Sequence, residues 1–123
     1  MSSIPNEQME AYKRTAYRRW QAEQTQREQR RAKAWQLANV AAQLLKEQFA
    51  VQRVVVFGSL LQADRFHLRS DVDLAAWGLT AANWLKAMAA VHALSDEIEF
   101  NLVDVGVCSS ELLTVIEQEG MPL

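Results

Sequence analysis

Two aspartates spaced two residues apart, Asp71 and Asp73, stand in the otherwise apolar segment DVDLAAW. Successive side chains of a β-strand alternate between its faces, so both carboxylates are expected on the same face. Two carboxylates so close together repel each other unless a cation lies between them. A Mg²⁺ ion held by one or two carboxylates and by substrate phosphates would satisfy this arrangement. The alternative is that both aspartates mark the solvent-exposed end of an edge strand.

A second candidate site, Gly58 and Ser59, follows directly after VQRVVVF, a β-branched segment that is typical of a buried strand. Gly58 has no side chain, so a phosphate could approach the backbone there. The Ser59 hydroxyl and the first amides of the following helical turn could donate hydrogen bonds to the phosphate oxygens. The alternative is that the pair serves only the turn at the end of the strand.

The pattern of apolar residues predicts the elements that position these groups. Residues 6–49 contain no Gly or Pro and are rich in helix formers, which predicts one long helix or two nearly collinear ones. Strands are expected in VQRVVVF, DVDLAAW and EIEFNLVDV. Further helices are expected in ANWLKAMAAVHAL, capped by Thr80, and in SSELLTVIEQ, capped by Ser109 or Ser110 and stopped by Gly120. The order predicts an α/β (α+β) fold, a small mixed β-sheet covered on one side by helices.

The long helix predicts a division into an N-terminal helical arm, residues 1–49, and a core domain, residues 50–123. The stretch QAEQTQREQRRAK offers few apolar residues, so the first half of the helix is expected to project outward or to meet another chain. Tyr12, Tyr17 and Trp20 indicate a contact surface, because aromatic side chains are costly to leave in water. Residues 1–50 carry nine Lys and Arg against five Asp and Glu, and the rest carries four against ten. This basic part either contacts something acidic or forms a solvated helix face.

Composition limits the class of protein. A length of 123 residues fits one domain, and 50% hydrophobic with 23% charged residues is typical of a globular protein. No apolar run approaches the roughly 20 residues that cross a bilayer, and MSSIPNEQME lacks the regions of a signal peptide, so we expect a cytoplasmic protein without a membrane partner. The single Cys108 excludes an internal disulfide and a cysteine-based zinc site. A pI near 5.7 argues against direct binding of nucleic acid.

Taken together, the segment VVVFGSLLQADRFHLRSDVDLAAWGL resembles the signature of the nucleotidyltransferase superfamily related to DNA polymerase β, in which Gly-Ser after one strand is followed by Asp-x-Asp on the next. The short length and the ending LLTVIEQEGMPL are similar to the minimal nucleotidyltransferases, the MNT proteins that are paired with HEPN toxins. The resemblance covers about residues 50–123. It implies that Gly58 and Ser59 bind the triphosphate of ATP and that Asp71 and Asp73 are catalytic and hold Mg²⁺.

The resemblance also implies a function, the transfer of AMP from ATP to a tyrosine hydroxyl of a HEPN ribonuclease toxin. The chain would then be an antitoxin, with the helical arm as its docking element. Two features depart from the family. The loop of residues 60–70 is one residue longer than the family pattern and lacks its Arg-Gly pair, and the third strand, which usually supplies a third carboxylate, has Asn101. Glu99 should share the face of Asn101, whereas Asp104 should point to the opposite face. The second hypothesis is therefore a non-catalytic antitoxin that neutralises its partner by binding alone.

Overall fold

The structure of the protein, a computed structural model, describes residues 6–123. Helix α1 runs without interruption over Asn6–Phe49, which confirms the prediction of a helix across this Gly- and Pro-free segment. It is followed by β1 (Arg53–Phe57), a short 3-10 helix (Gly58–Leu61), β2 (Val72–Trp77), α2 (Trp84–His92), β3 (Phe100–Asp104), α3 (Ser110–Glu119) and β4 (Met121–Pro122). The three predicted strands are confirmed.

The strands form one mixed sheet in the order β3-β2-β1-β4. Strand β2 lies between β1, to which it is antiparallel, and β3, to which it is parallel. Within β2, Asp73 stands opposite Phe57 on one side and opposite Asn101 on the other. The sequence pattern does not predict β4, because a two-residue strand that includes a proline shows no strand periodicity.

Helices cover both faces of the sheet, which corrects the expectation of a sheet covered on one side. On one face, alternate residues of the strands, such as Val54 and Leu74, join α1 and α2 in the larger apolar core. On the other face, Val55 and Ala75 pack against Ile116 of α3 in a smaller cluster. The reason lies in β1, where consecutive buried apolar residues alternate between the faces, so that both faces need a cover.

Helix α1 has an exposed part and a packed part. Residues 6–23 are exposed, as the polar pattern predicts. Farther along, a stripe of small and aliphatic residues is buried in the larger core, namely Ala34, Ala38, Ala41, Ala42 and Leu45. Because these residues recur every three or four positions, they form one face of the helix. The packed part therefore shares its core with the strands. Within residues 6–123, α1 and the shorter helices lack the combination of length and apolar character that a membrane span requires.

The ends of the two shorter helices follow local rules. The Ser109 hydroxyl accepts a hydrogen bond from the Leu112 amide at 3.2 Å, and α3 ends before Gly120, so the predicted cap and stop are both confirmed. Helix α2 begins later than Thr80 predicts. Thr80 and Asn83 exchange side-chain to backbone hydrogen bonds of 2.8 and 3.2 Å, and these form a separate turn before the helix starts at Trp84.

Candidate active site

The two aspartates meet Asn101 where the parallel strands β2 and β3 begin, on the face of the sheet that α3 covers in part. Asp73 is the second residue of β2, and Asp71 directly precedes the strand. The Asn101 Nδ2 donates to Asp73 Oδ1 at 2.9 Å and to Asp71 Oδ2 at 3.4 Å. Both carboxylates thus lie on one face of the sheet, as their spacing predicts. We call these three residues the acidic cluster.

The environment of Asp73 disfavours its negative charge. Burial raises the pKa of the Asp73 carboxyl group, the hydrogen bond from Asn101 opposes that shift, and the charge of Asp71 raises the pKa further. The amide brings only a partial positive charge to the carboxylates. A cation bound beside them would compensate both the burial and the repulsion.

The turn after β1 lies directly against this cluster. Gly58 has a φ of +78°, in the left-handed region that favours glycine, and a Cβ atom placed there would overlap with Asp73 Oδ2. Any larger residue there would force the Asp73 carboxylate to move and would keep an unfavourable positive φ. Ser59 follows, partly buried, in the short 3-10 helix. The fold thus brings the Gly-Ser turn and the Asp-x-Asp strand into contact.

The position opposite Asp73 is held by an amide and not by a carboxylate. Asp104 stands in register with Ala76, whose side chain belongs to the larger core, so it lies on the opposite face from Asn101, as the alternation predicts. Its Oδ1 instead accepts a hydrogen bond from the Gly106 amide at 2.9 Å. The exposed Glu99 contributes its main-chain carbonyl, which accepts from the Val72 amide at 2.9 Å. In residues 6–123, no three His, Cys, Asp or Glu side chains are grouped closely enough to hold a metal ion.

The loop between the Gly-Ser turn and Asp71 carries three exposed residues that sequence reasoning considered as phosphate ligands or surface residues: Arg65, His67 and Arg69. The His67 Nδ1 lies 3.4 Å from the Arg69 amide, and the His67 amide donates to the Ser70 Oγ at 3.0 Å. These contacts shape the loop itself. They favour the surface interpretation.

Sequence reasoning missed three arginines of α1, whose side chains bind main-chain carbonyl groups around the cluster. These hydrogen bonds run from Arg27 to Asp64 (3.2 Å), from Arg30 to Ser70 (2.9 Å) and from Arg31 to Leu60 (3.1 Å). Their spacing of three and four residues was the available signal, because it places the side chains on one helix face. The side chains of these three arginines therefore neither form a solvated helix face nor bind acidic side chains. They bind carbonyl oxygens of the same chain.

The comparison with known proteins supports this architecture by structure alone. No family model matches the chain, and no curated protein sequence matches it. A crystal structure of a toxin-antitoxin with AMP-PNP is similar over 69% of this chain and 70% of that one, with a TM-score of 0.59 and 24% identity. The MntA-HepT toxin-antitoxin is similar over 72% of this chain and 69% of that one, with a TM-score of 0.55 and 20% identity.

A third structure, the tri-AMPylated Shewanella oneidensis HEPN toxin in complex with MNT antitoxin, is similar over 72% of this chain and 70% of that one, with a TM-score of 0.55 and 19% identity. At such identities a structural likeness establishes the fold. Together with the contact between Gly58 and Asp73 and the register of Asp73 with Asn101, it leads to one conclusion. The chain has the minimal nucleotidyltransferase fold that its Gly-Ser and Asp-x-Asp motifs predict.

Proposed function

We propose that the chain is an antitoxin that transfers AMP from ATP to a tyrosine hydroxyl of a HEPN-type partner toxin. The observation that supports the proposal is the contact of the Gly58 turn with the Asp73 carboxylate. A glycine turn suits the approach of a phosphate, and a carboxylate pair suits a cation. The similar structures include one with AMP-PNP and one with a tri-AMPylated HEPN toxin, and they supply the nucleotide and the acceptor that we propose for this chain.

The residues of the cluster fit one Mg²⁺ ion. Asp71 and Asp73 offer oxygen ligands, and Mg²⁺ is usually held by one or two carboxylates together with substrate phosphates and waters. The raised pKa of Asp73 reflects an environment that a cation would relieve. The Asn101 amide now donates to both carboxylates and would turn or move aside to offer its oxygen. Bound Mg²⁺ would neutralise charge on the triphosphate.

Each group of the site has a part in the proposed transfer. The tyrosine oxygen of the partner forms a bond to the α-phosphorus of ATP, and the bond from that phosphorus to the oxygen bridging to the β-phosphate breaks. Pyrophosphate leaves, and the hydroxyl proton passes to solvent. Gly58 and Ser59 would bind phosphate oxygens, and Asp71 with Asp73 would hold Mg²⁺, which would supply the positive charge that the reacting phosphate needs. The protein contributes by orienting the reactants and stabilising charge.

The exposed part of α1 suits the proposed docking of a protein partner. Arg27, Arg30 and Arg31 contact the segments around the cluster, so residues 6–23, which continue the same helix, project beyond the end of the sheet where the cluster lies. Tyr17 and Trp20 stack there with ring centroids 5.9 Å apart and remain exposed. Aromatic side chains are enriched where protein surfaces meet, because they bury a large area at a small cost in conformational entropy.

A second candidate function, neutralisation by binding alone, is favoured by Asn101. An amide is a poorer ligand for Mg²⁺ than a carboxylate and cannot act as a general base. In that case the exposed part of α1 would serve the same docking, and Asp71 with Asp73 would have no part in neutralisation.

The deciding experiment is the intact mass of the HEPN-type toxin after incubation with this chain, ATP and Mg²⁺. We expect a gain of one or more AMP units that disappears in the double variant Asp71→Ala, Asp73→Ala. The matched control is Asp64→Ala, Asp96→Ala, because both side chains are exposed and lie outside the cluster. An unchanged mass together with a stable complex would reject transfer and support neutralisation by binding.

A further inference from the structure

We propose that Arg30 of α1 is a positioning residue of the candidate site. Its guanidinium group holds the starts of β2 and β3 together and thereby keeps Asp71 and Asp73 within reach of Asn101. The role in transfer rests on the proposed function. The role in holding the two strand starts rests on the contacts of Arg30 itself.

A single side chain bridges the two segments that lead into the parallel strands. Arg30 Nη2 donates to the Ser70 carbonyl at 2.9 Å, and Arg30 Nη1 donates to the Glu97 carbonyl at 3.1 Å. Ser70 directly precedes Asp71, and Glu97 precedes β3 on the same side of the ladder. The bridge therefore joins the residue next to Asp71 to the segment that leads into β3, four residues before Asn101.

The first main-chain hydrogen bond between β2 and β3 runs from the Val72 amide to the Glu99 carbonyl, at 2.9 Å. The Arg30 bridge links the two segments before this bond. Strand ends fray when few bonds hold them, and Asp71 lies outside the strand proper. Its contact with the Asn101 amide, at 3.4 Å, depends on the relative position of these two ends. Without Arg30, we expect Asp71 to separate from Asn101.

The geometry of the bridge calls for an arginine. A guanidinium group is planar and presents two terminal nitrogens in a fixed fork, whereas lysine ends in a single nitrogen. The Arg30 Nε is buried and has no hydrogen-bond partner among the described residues. The side chain thus keeps its position with one N–H group unpaired. It is held by its two terminal hydrogen bonds and by its positive charge near the Glu97 carboxylate.

The next residue of α1, Arg31, holds the turn that follows β1. Arg31 Nε donates at 3.1 Å to the Leu60 carbonyl, within the short 3-10 helix that begins at Gly58. This bond needs only one donor. A lysine at position 31 could replace it, whereas a lysine at position 30 would leave one of two carbonyls unpaired. Replacement of arginine by lysine is therefore expected to be tolerated at position 31 and to be disruptive at position 30.

The test is amide hydrogen exchange on the full chain, comparing wild type with Arg30→Lys, Arg30→Gln and Arg31→Lys. We expect both changes at position 30 to speed exchange of residues 70–73 and 99–101 by about tenfold, since hydrogen bonds from a charged group are lost there. Arg31→Lys and the control Arg18→Gln should leave these residues at the wild-type rate. The Arg18 side chain is exposed and makes no hydrogen bond or ion pair with another described residue.

The second readout is the kinetics of AMP transfer. Arg30 should affect kcat more than the KM for ATP, because its terminal nitrogens bind main-chain carbonyl groups and its proposed role is to align the carboxylates. We expect Arg30→Gln and Arg30→Lys to lower kcat by about tenfold to a hundredfold, the usual effect of a displacement near 1 Å at a reacting centre. The KM should stay within about threefold.

Three results would overturn the proposal. These are wild-type exchange at the strand starts in both Arg30 variants, a uniform acceleration over α2 and α3 that reveals general destabilisation, and full rescue by lysine at position 30. If wild type transfers no AMP, the proposed function fails. The exchange comparison then still decides whether Arg30 holds the two strand starts.

Discussion

The two faces of the sheet use alternate residues of the same strands for different purposes. Toward α1 and α2, β2 contributes Val72 and Leu74 to the larger core, and both are fully buried. Toward α3, the same strand carries Asp73 and then Ala75, so the apolar cluster begins only after the aspartate. Residues of the candidate site and residues of the larger core therefore alternate along one strand, and mutations should be able to separate their effects.

The largest expected effect is on the face of the acidic cluster. In Gly58→Ala, the new Cβ would meet Asp73 Oδ2, and the residue would keep an unfavourable positive φ. We expect the rate of the proposed AMP transfer to fall about a thousandfold, equivalent to about 4 kcal/mol, while the free energy of unfolding falls by only about 2 kcal/mol. Transfer rate and urea unfolding of the same sample measure the two quantities.

The matched control for this change is Gly106→Ala. A Cβ there would meet only Asp104 Oδ1, at 3.3 Å, and the backbone is outside the left-handed region. Its transfer rate should stay near that of wild type. A similar loss in both glycine variants would contradict a special role for the turn at Gly58.

A change on the opposite face should reverse the pattern. Leu45 is fully buried against the sheet on the α1 side. Leu45→Ala should reduce the free energy of unfolding by about 3 kcal/mol through lost contacts and a residual cavity, while the transfer rate per folded molecule stays unchanged. A fall in the transfer rate per folded molecule would show that the two faces of the sheet are coupled.

A smaller effect concerns the charge of Asp73. Because the folded state raises the pKa of this carboxyl group, stability is greater when the group is protonated and falls as pH rises through the raised pKa. Asp73→Asn should remove this fall and stabilise the metal-free protein at neutral pH by about 0.5 kcal/mol. Urea unfolding in EDTA across the pH range above the ordinary aspartate pKa tests this. A stability loss at neutral pH would contradict the assigned cause.

The smallest effect on folding is expected from removal of the exposed part of α1. A chain that begins at residue 24 should unfold within about 0.5 kcal/mol of the full chain, because residues 6–23 are exposed, yet it should fail to form the proposed complex with the toxin. A chain that begins at residue 50 lacks Ala38 and Leu45 of the larger core and should not fold. This pair of truncations tests whether the division at residue 50 marks an independent unit.

Local patterns predicted most elements of the fold. Strands β1 to β3 and the helical character of residues 6–49 follow from periodicity and composition, although one helix or two was left open. Ser109 was one of two serines expected to cap α3. The sequence patterns did not predict that α3 covers the second face of the sheet, nor did they predict β4. Both features depend on which segments distant in sequence come together. The same reason explains the site: spacing placed Asp71 and Asp73 on one face, but the contact of Gly58 with Asp73 and the carbonyl partners of Arg30 arise only from tertiary packing.

The length of α1 sets the distance between its exposed aromatic residues and the acidic cluster, and the proposed partner would have to span it. The helix has 44 residues, and its exposed portion, residues 6–23, extends for about 27 Å at the rise of an α-helix. A partner that touches Tyr12 and also offers a hydroxyl group to the acidic cluster must span a comparable distance. A folded domain of roughly 30 Å does so, whereas free tyrosine or a short peptide does not. The exposed part of α1 would then select acceptors by their size.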